Sequence, residues 1–423
     1  MKKDRVLGAL TVAMVAFLYP QIAGGQDEQF LARARRLLQA VPLIDGHNDV
    51  PWQYLVRAQN HLERIDLKSD TSRLNPPMHT DIRRLREGQV GGQFWSIYIH
   101  KNSAGPGATR AALAQLDIAR RIIDRYPDDL ELALTADDIA RIHKSGKVAS
   151  LLGLEGGHAI ENSLAVLRQM YALGIRYMTL THAANIDWAD SATDIPVHNG
   201  LTSFGKVVVK EMNRLGMMVD ISHVSPKTMH DVLDVTAAPV LFSHSSARAL
   251  NDHPRNVPDD VLRRVKQNRG VVMVNFVPYF VTYKANLYNA EMTGERARLE
   301  RLLPFDRARQ EREFQSWVRQ HPEPLPTLGE VVDHIDHIRK IAGIDHIGLG
   351  SDFDGLVTGP IGMEDVSKYP YLIAELLRRG YTDDDAQKVA GLNLLRVMRE
   401  TENVGRELRK TTLAFDVLIN EAR

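Results

Sequence analysis

From Leu43 onward the chain alternates short apolar runs with amphipathic stretches, and this alternation leaves few folds open. Eight runs recur, at 43–45, 94–99, 149–154, 177–180, 217–221, 240–243, 271–276 and 347–350. Runs apolar at consecutive positions suit strands buried on both faces, and strands spaced by helices suit a parallel sheet. Helical stretches read over 163–173, 204–215, 259–267 and 328–342; Gly174 and Gly216 fall where C-caps belong, Pro226 and Pro258 where helices begin. Eight strands with intervening helices predict an α/β fold, a TIM-like (β/α)8 barrel rather than an open doubly wound sheet. Two segments break the rhythm. Residues 285–326, rich in Arg and Glu, read as a helical insertion between the seventh and eighth strands with a solvated charged face, and the chain after Ser367 reads as extra C-terminal helices.

Composition narrows the function. With 44% hydrophobic and 25% charged residues the chain is expected to fold throughout its body. Lys+Arg and Asp+Glu each total 53, so no net field favours nucleic acid or an anionic membrane, and a small substrate is expected. The start, Met1-Lys2-Lys3-Asp4-Arg5, precedes an apolar run over 6–19 and then Ala23-Gly24-Gly25. That pattern predicts a signal peptide over 1–25, cleaved between Ala23 and Gly25, ahead of one catalytic domain over 26–423; the alternative is an uncleaved anchor. The apolar run falls short of the roughly 20 residues that span a bilayer. The chain has no cysteine, which excludes disulfides and a lipidated N-terminal cysteine. The expectation is an exported protein, periplasmic or secreted, of a bacterial cell.

Polar residues with chemistry follow the apolar runs directly. The first run leads into His47 and Asp49, two apart, which on an extended chain point the same way. Later runs lead into Glu155 and His158, His182, His223, His244, and then Asp352 and Asp354. In a barrel these ends converge on one face. One histidine after one strand is most simply structural, but several together with carboxylates and no cysteine suit a borderline metal such as Zn²⁺, with Mn²⁺ or Co²⁺ as alternatives. The donors exceed what one catalytic zinc needs, so two cations sharing a water of lowered pKa are expected, with Glu155 placed to bridge them.

The stretches Leu43-Ile44-Asp45-Gly46-His47-Asn48-Asp49, Glu155-Gly156-Gly157-His158, Leu180-Thr181-His182, Asp220-Ile221-Ser222-His223, Phe242-Ser243-His244-Ser245-Ser246-Ala247, Arg255-Asn256-Val257-Pro258-Asp259-Asp260 and Gly350-Ser351-Asp352-Phe353-Asp354-Gly355 together resemble the renal or membrane dipeptidase family of amidohydrolase-like barrels. The resemblance runs in order from Leu43 to about Val397. It implies two zinc ions per chain, His47 and Asp49 on the first, His223 and His244 on the second, with Glu155 bridging. It further implies that His182 contacts the scissile carbonyl, that Arg255 holds the substrate carboxylate and that Asp352 shuttles the proton. A bridging hydroxide would then attack the peptide bond of a dipeptide, including dipeptides that end in a D-residue. The vertebrate relatives are lipid-anchored and disulfide-linked; a chain without cysteine or an apolar C-terminal tail is expected to lack a stable anchor, and any homodimer to be non-covalent.

Simpler readings stand beside these. Asp45 is either a partner to a ligand or a strand residue, Asp354 is structural, and His158 belongs to the loop or supports a ligand. His334, His337 and His346 read as surface residues of helix or loop. Trp188 and Asp190 either line the substrate mouth or pack a loop, and Tyr279 stands near where the family faces substrate. Two rival functions remain: another amidohydrolase acting on lactones, cyclic amides or phosphotriesters, and a catalytically dead barrel that only binds. Many such amidohydrolases bridge their metals with a carboxylated lysine, which Glu155 speaks against; a dead barrel should have lost a ligand, and every candidate position here carries a competent residue.

Overall fold

The computed structural model describes residues 27–100 and 105–421; the expected signal peptide lies outside the described residues. Among the described residues nine strands are seen: β1 (Leu43–Asn48), β2 (Val90–Tyr98), β3 (Leu130–Leu132), β4 (Val148–Glu155), β5 (Ile175–Thr179), β6 (Met218–Asp220), β7 (Leu241–Phe242), β8 (Val271–Val274) and β9 (Ile347–Leu349). The order is β2-β1-β9-β8-β7-β6-β5-β4-β3, and pairing of β2 with β4 closes it. Eight parallel strands form the barrel that the alternation predicts. The ninth, β3, sits in the acidic stretch around Asp128 and Asp129, where no apolar run marks it. It pairs with Val148–Ser150 of β4, and β5 takes over the same edge from Leu152 onward.

Barrel strands here are buried along their length, every residue of β4 and all of β2 but its last, Tyr98, which is why they read as apolar runs rather than alternating ones. Two interior positions demand glycine. A Cβ on Gly46 would lie 2.5 Å from the Met273 sulfur, and one on Gly153 would lie 2.0 Å from the Tyr177 ring. The ring that Gly153 admits reaches across the barrel, where its hydroxyl donates to the Gly46 carbonyl at 3.1 Å.

The helices start where side chains can serve their free N–H groups. Ser163, Thr202 and Ser225 cap the helices Leu164–Ala172, Ser203–Leu215 and Pro226–Val235, and Thr327 with Glu330 forms a capping box on Leu328–Ile341. Gly216 closes its helix in the left-handed conformation that glycine adopts most readily. Between β8 and β9 lie the two helices of the insertion, Tyr283–Leu302 and Arg307–Gln320, and the C-terminal helices include Tyr369–Arg378 and Asn393–Thr411. No helix among the described residues is long and apolar enough to cross a membrane.

Burial corrects one expectation. His334 and His346 are not surface residues: they are buried at 1% and 8% exposure. His334 accepts the Ala247 N–H at 3.0 Å and its other nitrogen meets the Val281 carbonyl at 2.9 Å; His346 pairs with the Gly270 carbonyl at 2.8 Å. Two apolar turns of helix carry His334 into the interior, and its hydrogen bonds offset the cost of burying the ring.

Candidate active site

Glu155, the last residue of β4, sits at the centre. Its Oε2 lies 3.4 Å from His47 Nε2, and its Oε1 lies 3.2 Å from His223 Nε2 and 3.6 Å from His244 Nε2. His47 Nε2 is also 3.5 Å from Asp49 Oδ2, and the Nε2 atoms of His223 and His244 are 2.9 Å apart. The two carboxylate oxygens therefore face two different donor sets. All five predicted ligands meet around one carboxylate, although they come from four strands.

The donor spacing fits divalent cations. A cation held at about 2.0–2.1 Å by tetrahedral ligands keeps those ligands roughly 3.3 Å from each other, and the distances above scatter around that value. His47 Nε2 is buried and has no hydrogen-bond partner. Neighbouring groups fix which nitrogens stay free. Tyr177, whose hydroxyl is spent on the Gly46 carbonyl, accepts from His47 Nδ1 at 3.0 Å. Ser243 donates to Asp220 at 2.6 Å and accepts from His244 Nδ1 at 2.8 Å. In both cases the proton sits on Nδ1 and the Nε2 lone pair is left for a ligand. Ser96 donates to Glu155 Oε2 at 2.9 Å and aims that carboxylate.

Electrostatics agree. Burial, reinforced by Arg255, holds His223 well below the usual imidazole range, and burial with His47 and Arg255 does the same to His244; both stay neutral, the form that binds metal. His47 differs: burial alone would push it down too, but Tyr177, Glu155 and Asp49 hold it well above its ordinary value, so its Nε2 has to give up a proton before it can serve as a metal ligand. Glu155 is held well below the carboxylate range despite burial, first by His47 and then by His223. Burial, with Asp49 and Glu155 nearby, pushes Asp352 well above it against the pull of His47. Asp49 too is pushed up by burial, against the pull of His47, so the cavity sets two raised carboxyls beside one, Glu155, that is held down.

His182 stands at the edge of this cluster, its Nε2 3.7 Å from Glu155 Oε1, and burial pushes it down to about 4. Asp352 follows β9 in the left-handed backbone region (φ 67°), as does His223 after β6 (φ 67°). Backbone held there costs free energy and persists where the surroundings impose it. Gly355 lets the acids approach, since a Cβ there would lie 2.2 Å from Asp49 Oδ2 and 2.6 Å from Asp352 Oδ1. Arg255 is 2% exposed; it donates to the His244 carbonyl at 3.1 Å, while its Nε has no partner and its guanidinium lies 5.3 Å over the Phe280 ring.

The cluster opens into a cavity of about 780 Å³ lined by Asp49, Glu155, His182, His223, Arg255 and Asp352, together with aromatic residues and two residues of the insertion, Asn289 and Thr293. Other candidates fall outside it. Asp45 accepts from the Ser351 N–H at 2.8 Å and hydroxyl at 2.7 Å, tying the ends of β1 and β9. Asp354 accepts the His79 N–H at 2.8 Å and is structural, as read. Trp188 is fully buried against Phe204, and Asp190 accepts the N–H groups of Val197, His198 and Gly200 within its own loop. Tyr279 does line the cavity. Sequence reading missed Trp52, Tyr98, His253, Asn289 and Thr293 on the wall, and Tyr177, Ser96 and Asp220 behind the ligands. Trp52 and Tyr98 were within reach, one three residues after Asp49 and the other at the end of a recognised run; nothing local marks the rest.

The family model for membrane dipeptidase, peptidase family M19, matches residues 31–412. The chain belongs to this family. It is 42% identical over 369 residues to dipeptidase tcpJ of Claviceps purpurea (strain 20.1), covering 85% of this chain and 77% of that protein. Among solved structures it resembles the probable dipeptidase PvdM of Pseudomonas aeruginosa (TM-score 0.73, 25% identity, 89% of this chain and 99% of that one). It also resembles a metallo peptidase of Rhodobacter sphaeroides bound to a phosphinate mimic of L-Ala-D-Ala (TM-score 0.68, 25% identity, 85% and 99%). An M19 dipeptidase is a metal-dependent peptide hydrolase acting on dipeptides, and the groups His47-Glu155-His244, Glu155-His182-His223 and His47-Asp49-Asp352 are the places where this chain can hold the metal.

Proposed function

We propose that this chain is a two-zinc dipeptidase in which His47 and Asp49 hold one ion, His223 and His244 the other, and Glu155 bridges them. The observation that carries the reading is the pair of donor sets facing opposite oxygens of Glu155 at tetrahedral spacing. When bound, the two ions supply Lewis acidity toward the peptide carbonyl and a water acidified to a pKa of about 7, ready to attack it.

The chain's own residues do the rest. Arg255, buried and with a free Nε, grips the C-terminal carboxylate of the substrate, and a planar fork suits that group better than a point charge. The grip places the scissile bond of a dipeptide, and of nothing much longer, over the cluster. His182 faces the carbonyl and stabilises the charge that develops on its oxygen. Asp352 lines the same cavity as Glu155, holds a proton and passes it to the leaving amine.

The L-Ala-D-Ala mimic bound to the similar Rhodobacter sphaeroides metallo peptidase supports a further reading, that dipeptides ending in a D-residue are substrates, and the basic and apolar start of the sequence supports export of the protein to meet them. Metal analysis together with paired L,L and L,D dipeptides tests the whole: two zinc equivalents and turnover of both forms are expected. Hydrolysis of the L,L form alone would sink the D-residue reading; one equivalent at full activity would sink the two-ion site. Recovery of a protein still carrying residues 1–25 from the cytoplasm would overturn export.

A further inference from the structure

The charged groups that line the cavity are already engaged at its floor: Asp49 and Glu155 with the donor cluster, Asp352 as proton carrier, Arg255 on the carboxylate. The wall on the Arg255 side is different. Phe280 lies under the Arg255 guanidinium at 5.3 Å, and His253 packs at a tilt against Phe280 and Tyr279 with centroids 4.6 and 5.9 Å away. His253 Nδ1 accepts the Arg255 N–H at 3.1 Å, and burial pushes that imidazole down to about 4, so the ring is neutral. Directly after this loop, Thr282 caps the first insertion helix, which carries Asn289 and Thr293 into the same cavity one turn apart.

The insertion is built to hold these two residues in place. Next to Asn289, Tyr288 is buried and stacks on Trp317 of the second insertion helix at 5.7 Å and 27°. Trp317 stacks in turn on His321 at 4.5 Å, and Arg296 lies 3.8 Å over Phe314. Thr293 donates its hydroxyl to the Asn289 carbonyl at 2.8 Å, which keeps the turn closed and leaves the Thr293 oxygen free to accept. The Asn289 amide offers both a donor and an acceptor.

We infer that the insertion builds the subsite for the side chain of the substrate's C-terminal residue, read by Asn289 and Thr293, and that this subsite takes neutral aromatic or hydrogen-bonding side chains in preference to charged ones. The inference rests on the Arg255 grip proposed above, which places the C-terminal residue on this side. A charged side chain entering here loses hydration; the charges nearest this wall are Arg255, engaged by the substrate carboxylate, and the half-buried Glu323 near Tyr279, whose carboxyl burial pushes up, whereas an amide or aromatic side chain meets its complement.

Reversal of charge at one position tests this. With the full-length enzyme, kcat/KM is measured for Ala-Gln, Ala-Glu and Ala-Lys, with Ala-Ala as reference, and for Glu-Ala and Lys-Ala. The parent is expected to prefer Ala-Gln to both charged forms. Asn289→Asp should raise Ala-Lys over Ala-Glu by about tenfold, and Asn289→Lys should reverse that ratio by a similar factor, given the strength of a partly desolvated charge pair. Ala-Ala turnover normalises each ratio, and a cooperative thermal unfolding transition close to the parent's shows that both variants are folded. Unchanged ratios in both variants, or a shift in the same direction in both, would overturn the subsite, and a response confined to Glu-Ala and Lys-Ala would overturn its assignment to the C-terminal residue. A parent that cleaves no dipeptide would overturn the dipeptidase reading, and this inference with it; cleavage of Ala-Ala with unchanged ratios overturns the inference alone.

Discussion

The floor and the outer wall of the cavity are held in opposite ways. On the floor, His47, Glu155 and His244 are 0%, 4% and 1% exposed, and a hydroxyl behind each one fixes its aim. On the outer wall, Asn289 and Thr293 ride on a helix whose Tyr283, Leu287 and Leu302 are 66%, 48% and 62% exposed, beside a Phe305 that is 99% exposed. The glycines show the same contrast. A methyl on Gly153 would collide with the Tyr177 ring, whereas a methyl on Gly294, in the insertion helix, would touch nothing. A rigid floor suits chemistry that tolerates little displacement, and an open wall can be rebuilt without disturbing it.

The strongest test of that division is Glu155→Gln. Removing the charge shared by both donor sets should cost about 10³-fold or more in kcat and should lower the bound metal measured by elemental analysis. Retained metal and near-normal turnover would deny Glu155 its central place. Arg255→Ala should lower kcat/KM by about 10²-fold, the loss of a charge-assisted pair worth roughly 2–3 kcal/mol, and Arg255→Lys should recover only part because the fork is lost. Turnover of a dipeptide amide, which has no carboxylate, should respond little to either change.

Tyr177→Phe removes the acceptor that orients His47 while leaving the ring in place. Metal affinity should fall by about 10–100-fold, read by competition with a chelator, and unchanged affinity would leave Tyr177 a packing residue only. Weakest is the glycine pair. Gly153→Ala is expected to destabilise the barrel by about 1–3 kcal/mol through overpacking. Gly294→Ala should stabilise the insertion helix by about 0.5–1 kcal/mol, since alanine loses less backbone entropy in a helix. Denaturation and hydrogen exchange measure the two, and the same sign for both would erase the difference between floor and wall.

Much of the floor was legible because each strand of a barrel ends on the same face: an apolar run followed by His47, Glu155, His223 or His244 gives both the strand and the direction in which its chemistry points. The supports were harder to see. Tyr177 lies two residues inside a run, and only closure of the sheet brings it under β1; Ser96 and Asp220 are equally silent until their neighbours arrive. β3 was missed because a strand that borrows half an edge of β4 needs no apolar run of its own. His334 was misread although its place beside Val331, Ile335 and Ile338 on one helix face marks it as inward; a histidine is polar, and only the packed structure supplies the Ala247 and Val281 partners that let it be buried.

By itself, then, the sequence determined the barrel, its insertion and the set of candidate donors at the strand ends, since continuous apolar runs and the polar residues that follow them are both written in local order. Only tertiary structure decided that one carboxylate divides its two oxygens between two donor sets, which imidazole nitrogens stay free, and that Asn289 and Thr293 meet the substrate cavity. Those facts depend on distances between residues far apart in the chain, and such distances do not exist until the sheet has closed.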